Sequence, residues 1–182
     1  MRKNIFCVPI FEFDVDLNYI NVPASEEHFA PTWESKVQST FRSRNLSRVP
    51  KDTVRYLTDK IVSCLRELED PVDYIQIENI WKNKYDVHDF QGYHTHSNTT
   101  WSFIIYETVQ KSQTRFISPY MNDIQNQTVY GQSIDMPTFY KPELGPGSMI
   151  LFPSWVGHQV LPGNEGTTIS GNVKCFVRGV TR

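Results

Sequence analysis

The chain has few histidines, few cysteines, no long apolar run and almost no net charge, and each shortage removes a class of function. No stretch approaches the roughly 20 consecutive apolar residues that a membrane-spanning helix needs, so no membrane span is expected. The formal net charge is −2, with 18 Lys and Arg against 20 Asp and Glu. The basic residues are scattered apart from a mild cluster between Arg42 and Arg55, a poor electrostatic footprint for duplex nucleic acid. Cys7, Cys64 and Cys175 are odd in number and far apart. They read as free thiols of a reducing cytoplasm and offer no Cys pair for a closed structural zinc site. Cys64 falls inside a helical pattern, a poor setting for a nucleophile. A phosphate-binding Gly-rich loop, a dinucleotide fingerprint and a Gly-X-Ser-X-Gly elbow are all missing. The basic and then apolar start, MRKNIFCVPIFEFDVD, is interrupted by Glu12, Asp14 and Asp16. It therefore does not read as a secretion signal, and the expected location is cytoplasmic.

What remains is an ordinary globular composition, 39% hydrophobic and 13% aromatic over 182 residues, enough for one domain with a sizeable core. Residues 5–22 are apolar and alternate in part, which predicts one or two strands. Trp33, Val37 and Phe41 stand four apart and predict a helix over 32–44. The clearest helix is 51–69, where Val54, Leu57, Ile61, Leu65 and Leu68 form one apolar stripe, with Pro50 and Asp52 before it and Pro71 after it. From residue 72 the pattern changes. Short β-rich runs at 73–82, 99–109, 114–118, 127–130, 148–152, 158–161 and 168–178 are separated by Gly, Pro, Asn and Asp. The expectation is an α+β, mainly β protein of one domain. Residues 1–71 would supply strands and supporting helices, and 72–178 a sandwich- or barrel-like core.

Of the five histidines, two stand one residue apart, in Gly92-Tyr93-His94-Thr95-His96. Side chains at i and i+2 of an extended segment share a face, so His94 and His96 can grip one metal ion. That spacing alone is a weak signal and also fits two surface histidines. A third histidine strengthens it. In LGPGSMILFPSWVGHQVLPGN, residues 144–164, a Pro146–Gly147 turn leads into the strand Met149–Phe152, and a second turn leads to His158. Strand, turn and strand return an imidazole toward the barrel.

Together these residues resemble a family. Trp81 and Asn83 fit its Trp-X-Asn segment. His94, His96 and the strand Trp101–Tyr106 fit its histidine block, and Phe152, Pro153, Ser154, Trp155 and His158 fit its Phe-Pro-Ser-Trp-X-X-His block. The match over 78–176 is similar to the 2-oxoglutarate/Fe(II) oxygenases of bacteria and of viruses that infect them. The resemblance implies a double-stranded β-helix of the jelly-roll or cupin kind, with Fe(II), 2-oxoglutarate as co-substrate and O2. It implies His94 and His158 as metal ligands. His96 stands where the family more often has a carboxylate, and is the expected third ligand. The family also places an arginine about ten residues after the distal histidine, as a salt-bridge partner for 2-oxoglutarate. Here Thr168 occupies that position. Two cations are candidate replacements: Arg115, on the strand after the histidine block and slightly preferred, and Lys174, which shares a face with Thr168, Ser170 and Asn172 by alternation. Asn83, Tyr85, Tyr93 and Trp101 flank the metal motif as pocket candidates, although core packing is the expected role of Trp101 and Trp155. Ser102, Tyr106 and Asn172 are further polar candidates.

The leading expectation is an Fe(II)- and 2-oxoglutarate-dependent dioxygenase, a hydroxylase of a small-molecule or peptide substrate. One alternative is a cupin-like three-histidine metalloenzyme independent of 2-oxoglutarate. It is weakened because 98–101 supply no glutamate after the second histidine. Another is a non-catalytic binding protein on a degenerate oxygenase scaffold, motivated by Thr168 and His96. A homodimer is the expected assembly if the chain is not monomeric.

Overall fold

The computed structural model describes residues 7–32, 37–44, 46–68, 72–122 and 137–176. The helix α1 (Lys51–Leu65) buries Thr53, Leu57, Ile61 and Leu65; the last three belong to the predicted stripe, whose Val54 and Leu68 are partly buried. Pro50 precedes it and Asp52 lies in its first turn, where a carboxylate complements the helix dipole. The helix ends four residues before the predicted boundary. The predicted helix over 32–44 does not form among its described residues. Gln38–Ser39 is instead a short strand and Phe41–Ser43 a single 3-10 turn, because pairing with a long strand overrides a three-residue helical spacing. Trp33 and the strand predicted at 127–130 lie outside the described residues.

The strands are β1 (Phe11–Asp14), β2 (Ala30–Pro31), β3 (Gln38–Ser39), β4 (Tyr74–Tyr85), β5 (Gln91–His94), β6 (Trp101–Tyr106), β7 (Thr114–Ile117), β8 (Phe139–Tyr140), β9 (Ser148–Pro153), β10 (His158–Val160) and β11 (Gly166–Phe176). Every pairing is antiparallel. They form a seven-stranded sheet, β1-β9-β6-β11-β4-β3-β2, and a four-stranded sheet, β5-β10-β7-β8. The N-terminal segment does more than support the barrel, since it supplies both edges of the large sheet.

Alternation assigns the two faces of the large sheet. Phe103 and Ile105 of β6, Met149 and Leu151 of β9, and Ile169 and Val173 of β11 pack with Leu57, Ile61 and Leu65 of α1 in one apolar cluster. The intervening residues, Ile104, Tyr106, Ile150 and Phe152, turn inward and meet Phe116 of the small sheet. The small sheet therefore closes over the inner face, and the space between the sheets is where a site can sit. At the mouth of β9, Gly147 takes φ 83° at a turn whose carbonyl accepts the Val15 amide at 2.7 Å, a backbone conformation glycine adopts without steric cost.

Two register shifts decide which residues face inward. In β4, Asn79 pairs with Asn172 but Ile77 pairs with Val173, so Glu78 is an extra residue. This bulge lets Ile77 and Ile80, three apart, both join the helix-side core, while Trp81, Asn83 and Tyr85 line the interior. In β5, His94 pairs with His158 and Gln91 with Val160, again with one residue extra. His94 and Gln91 consequently face the same pocket, a re-aiming of side chains typical of bulges.

Candidate metal centre

His94 ends β5 and His158 begins β10, and the two are directly paired across the small sheet. Their ring centroids are 4.3 Å apart. His96 lies two residues beyond the strand, and its amide donates to the Ser154 carbonyl at 2.9 Å. That bond folds the loop back onto the turn before β10 and brings its ring within 5.4 Å of His94 and 5.2 Å of His158, centroid to centroid. One ligand nitrogen from each of the three lies within 4.8 Å of the others. Among the described residues this is the one cluster of three metal-binding side chains.

The tautomers suit a metal. Nδ1 of His94 is 2.8 Å from the Gly92 carbonyl, and Nδ1 of His158 is 3.1 Å from the Val156 carbonyl. A carbonyl can only accept, so both Nδ1 atoms carry the proton and both Nε2 lone pairs face away from the backbone. His96 is steadied by side chains. A hydrogen bond with Asn172 supports its imidazole, and Ser102 Oγ donates to Asn172 Oδ1 at 2.9 Å while lying 2.9 Å from Ser154 Oγ. Trp81 stacks on the other side, 6.0 Å between centroids at 26°.

Burial holds all three rings neutral. Desolvation lowers the pKa of each, for His96 to about 4 and for His158 well below its usual value, and the neighbouring histidines lower these two further. Three neutral imidazoles whose ring nitrogens converge within 4.8 Å fit a divalent cation, with the remaining coordination positions available to other ligands. The same burial has a cost in acid. Below about pH 6.5 the unfolded chain protonates these rings while the folded chain does not, so stability falls as pH drops from about 6.5 toward 4. Thermal melts of metal-free protein between pH 7.5 and 5 are expected to show a falling Tm, and saturating metal is expected to raise Tm while leaving that slope at least as steep, because metal-bound rings take up no protons. A flat Tm would count against neutral, buried histidines.

Around the histidines, Trp81, Asn83, Tyr85, Gln91, Thr168 and Ser170 line a pocket between the sheets, about 460 Å³ of space including its open mouth. Asn83 is fully engaged: Ser39 Oγ donates to its Oδ1 at 2.7 Å, and its Nδ2 donates to Thr168 Oγ1 and Ser170 Oγ at 3.3 and 3.2 Å. Tyr85 donates to Gln91 Oε1 at 3.0 Å, and burial raises its pKa.

Other expected site residues fall elsewhere. Neither Arg115 nor Lys174 lines the pocket. On β7, Thr114 and Phe116 point inward, so alternation turns Arg115 to the outer face, where its guanidinium lies 4.4 Å from the Phe139 ring. Lys174 keeps the face of Thr168 but lies six residues along β11, ion-paired to Glu78 at 2.5 Å. Asn172 lies behind His96. Tyr93 is 63% exposed and its ring lies against Gly157, while Trp155 is 54% exposed, not in the core. Trp101 packs in the core beside Phe11 as expected. Gln91 and Thr114 were missed. Stepping by two from Phe116 would have found Thr114, whereas Gln91 depends on the β5 bulge, whose one sequence signal is Gly92 within the strand.

Two layers of antiparallel strands with a histidine cluster between them define a double-stranded β-helix with a metal-type site. The family model described as "Putative 2OG-Fe(II) oxygenase" matches residues 79–170. The chain belongs to that family, whose members use Fe(II) and 2-oxoglutarate. Two solved structures agree on the fold. HygX from Streptomyces hygroscopicus, with nickel, 2-oxoglutarate and hygromycin B bound, superposes with a TM-score of 0.56 at 8% identity, covering 92% of this chain and 82% of that one. A Pseudomonas putida prolyl-4-hydroxylase gives 0.52 at 16% identity, covering 84% and 79%. A 2OG-Fe(II) oxygenase family oxidoreductase from Burkholderia pseudomallei gives 0.44 at 13%, covering 68% of this chain and 52% of that one. No curated protein matches the chain.

Proposed function

We propose that this protein is an Fe(II)- and 2-oxoglutarate-dependent hydroxylase in which His94, His96 and His158 hold the metal. The observation that carries the proposal is the convergence of three neutral imidazoles at the mouth of a pocket in a chain of this family. When bound, iron with 2-oxoglutarate and O2 supplies the oxidising power for hydroxylating an unactivated C–H bond, with succinate and carbon dioxide as co-products. The chain's own part is positional. Gly92 and Val156 fix the tautomers of His94 and His158, Asn172 steadies His96, and Phe116 and Phe152 pack against His158 and keep water from its inner side. Asn83, Ser170 and Thr168 line the inner pocket with satisfied polar groups.

The substrate would enter from the open side of the histidines. A small molecule or a peptide suits this reading, as with the hygromycin-bound HygX and the prolyl-4-hydroxylase named above. No helix of the described residues is long and apolar enough to cross a membrane, and a cytoplasmic site of action is part of the proposal. The test is anaerobic titration with Fe(II) and then 2-oxoglutarate, followed by visible absorption. A weak band that needs both additions is the expected result. Tight metal binding with no change on adding 2-oxoglutarate would instead favour a three-histidine enzyme that does not use it.

A further inference from the structure

A second cavity lies against the face of β4 opposite the histidines, and cations line it. It has about 300 Å³ of space including its open mouth, and it shares no residue with the histidine pocket. Val22, Val49 and Ile80, all buried, form its apolar part, and His28, Thr40, Arg44 and Arg48 its polar part. The polar residues come from the 3-10 turns Glu26–His28, Phe41–Ser43 and Leu46–Arg48 and their flanks. Ser43 Oγ ties two of these turns together by donating to the His28 and Thr40 carbonyls at 3.3 and 3.1 Å. Part of the mild basic cluster noted between Arg42 and Arg55 thus converges on one place.

Both guanidiniums are held in place and left with spare donors. Arg44 lies over the Phe41 ring, 3.6 Å from its centroid, and donates to the Phe41 carbonyl through one nitrogen, so its planar fork is preorganised. Phe41 in turn meets Trp81 edge-on at 5.1 Å between centroids, and Trp81 stacks on His96, so two rings separate this guanidinium from the metal centre. Arg48 Nη1 lies 3.2 Å from Nε2 of His28. The ion pairs of the described residues leave both guanidiniums without a carboxylate. His28 adds to the shortage of acceptors. The Ser25 amide can only donate, and it points at Nδ1 of His28 at 3.3 Å. With Nδ1 accepting, the imidazole proton sits on Nε2 and faces the Arg48 guanidinium, a second donor. Thr40 Oγ1 accepts from the Lys82 amide at 3.0 Å and keeps its own proton to donate. The Glu27 carboxylate is 4.0 Å from Nε2 but 81% exposed and outside the cavity lining. Donors without an acceptor therefore meet at one cavity, a setting that suits an oxyanion.

We propose that this cavity binds a phosphate monoester of a small organic molecule. Arg44, Arg48, His28 and Thr40 take the phosphate oxygens, and the ester's carbon group lies against Val22, Val49 and Ile80. Two guanidiniums match the charge of about −1.5 to −2 that such a group has at pH 7, and the Arg fork fits phosphate oxygens in pairs. The test is calorimetry on the whole chain with phenyl phosphate and with inorganic phosphate, each with and without Ni(II) at the histidines. Phenyl phosphate is expected to bind equally well in both metal states. Its Kd is expected to be at least about fivefold below that of inorganic phosphate, because the ring covers apolar wall. Arg44→Gln and Arg48→Gln are each expected to raise that Kd by about 10-fold or more, whereas His158→Gln leaves it within about twofold. Thermal melts give a second readout: saturating phenyl phosphate raises Tm in the parent and not in the two arginine variants. The site is overturned if neither phosphate binds, if both arginine variants bind like the parent, or if binding requires the metal, which would place the anion at the histidines. Equal Kd values for the two phosphates would overturn the ester and leave inorganic phosphate as the ligand.

Discussion

Replacing His158 by alanine is expected to abolish useful metal binding while leaving a folded protein. Structural zinc sites with four ligands bind with about 10–16 kcal/mol, so one ligand of three is worth roughly 3 kcal/mol or more, a loss of at least about 100-fold in affinity. His158 is expected to lead the series because its position is the least adjustable. It is 3% exposed, fixed by β10 on both sides, and packed against Phe152 at 4.8 Å and Phe116 at 5.7 Å between ring centroids. His96, in a loop, can shift to compensate for a neighbour, whereas His158 cannot. The alanine also removes a buried ring and leaves a void beside Phe152, which lowers Tm. His158→Gln keeps most of the volume and a polar tip, so it separates the two effects. Both variants are expected to lose metal, with the glutamine variant keeping more of the parent Tm. Metal titration by calorimetry alongside thermal melts checks this, and an unchanged metal Kd in either variant would remove His158 from the site.

The histidines were legible in the sequence for a reason that does not extend to the rest of the pocket. His94, His96 and His158 are chemically rare, and their spacing maps onto strands whose alternation can be counted. The β-rich half was legible in the same way. Apolar runs such as Met149–Phe152 carry their own signal, and the Pro146–Gly147 turn announces the strand after it. The helix stripe of Leu57, Ile61 and Leu65 held because its period is long and regular. The segment from Val37 to Phe41 failed because three residues four apart are too few to outweigh pairing of Gln38 and Ser39 with Lys84 and Asn83.

The inner pocket was harder because its membership depends on bulges. The extra residue at Glu78 and the one in β5 each change which side chains share a face; Glu78 carries no mark of it, and Gly92 is the one sequence hint of the β5 bulge. Charge was misleading for a related reason. A missing arginine at 168 directed attention to the nearest cations, Arg115 and Lys174, but a cation's chemistry says nothing about which side of a strand it occupies. On β7 the inward residue is the unremarkable Thr114.

Gly171→Ala is expected to be the most damaging glycine-to-alanine change among the described residues. Gly171 lies in β11 between β4 and β6 at the centre of the large sheet, with Phe103 directly opposite. A Cβ at this position would lie 2.3 Å from the Phe103 ring and 2.8 Å from the Asn79 carbonyl. Neither obstacle can yield easily. Phe103 is 1% exposed within the helix-side core, and Asn79 adjoins the β4 bulge at Glu78. Overpacking usually costs about 1–3 kcal/mol, and an aromatic ring on one side with backbone on the other puts this case at the upper end, about 3 kcal/mol. For a domain of this size that is a fall in Tm of about 6–12 °C. Gly92→Ala is the matched control. It too is a strand glycine, but nothing lies within 4 Å of its added Cβ, so its Tm is expected to change by less than about 2 °C. Combining Gly171→Ala with Phe103→Leu should recover part of the loss, because the smaller side chain vacates the space the methyl needs. Additive losses in the double variant would show that Phe103 is not the obstacle. The effect would also reach the metal, because Gly171 stands between Ser170, which lines the pocket, and Asn172, which steadies His96. Displacing β11 is therefore expected to weaken metal binding by about 10-fold, as loss of a supporting hydrogen bond commonly does, even in the fraction of protein that stays folded.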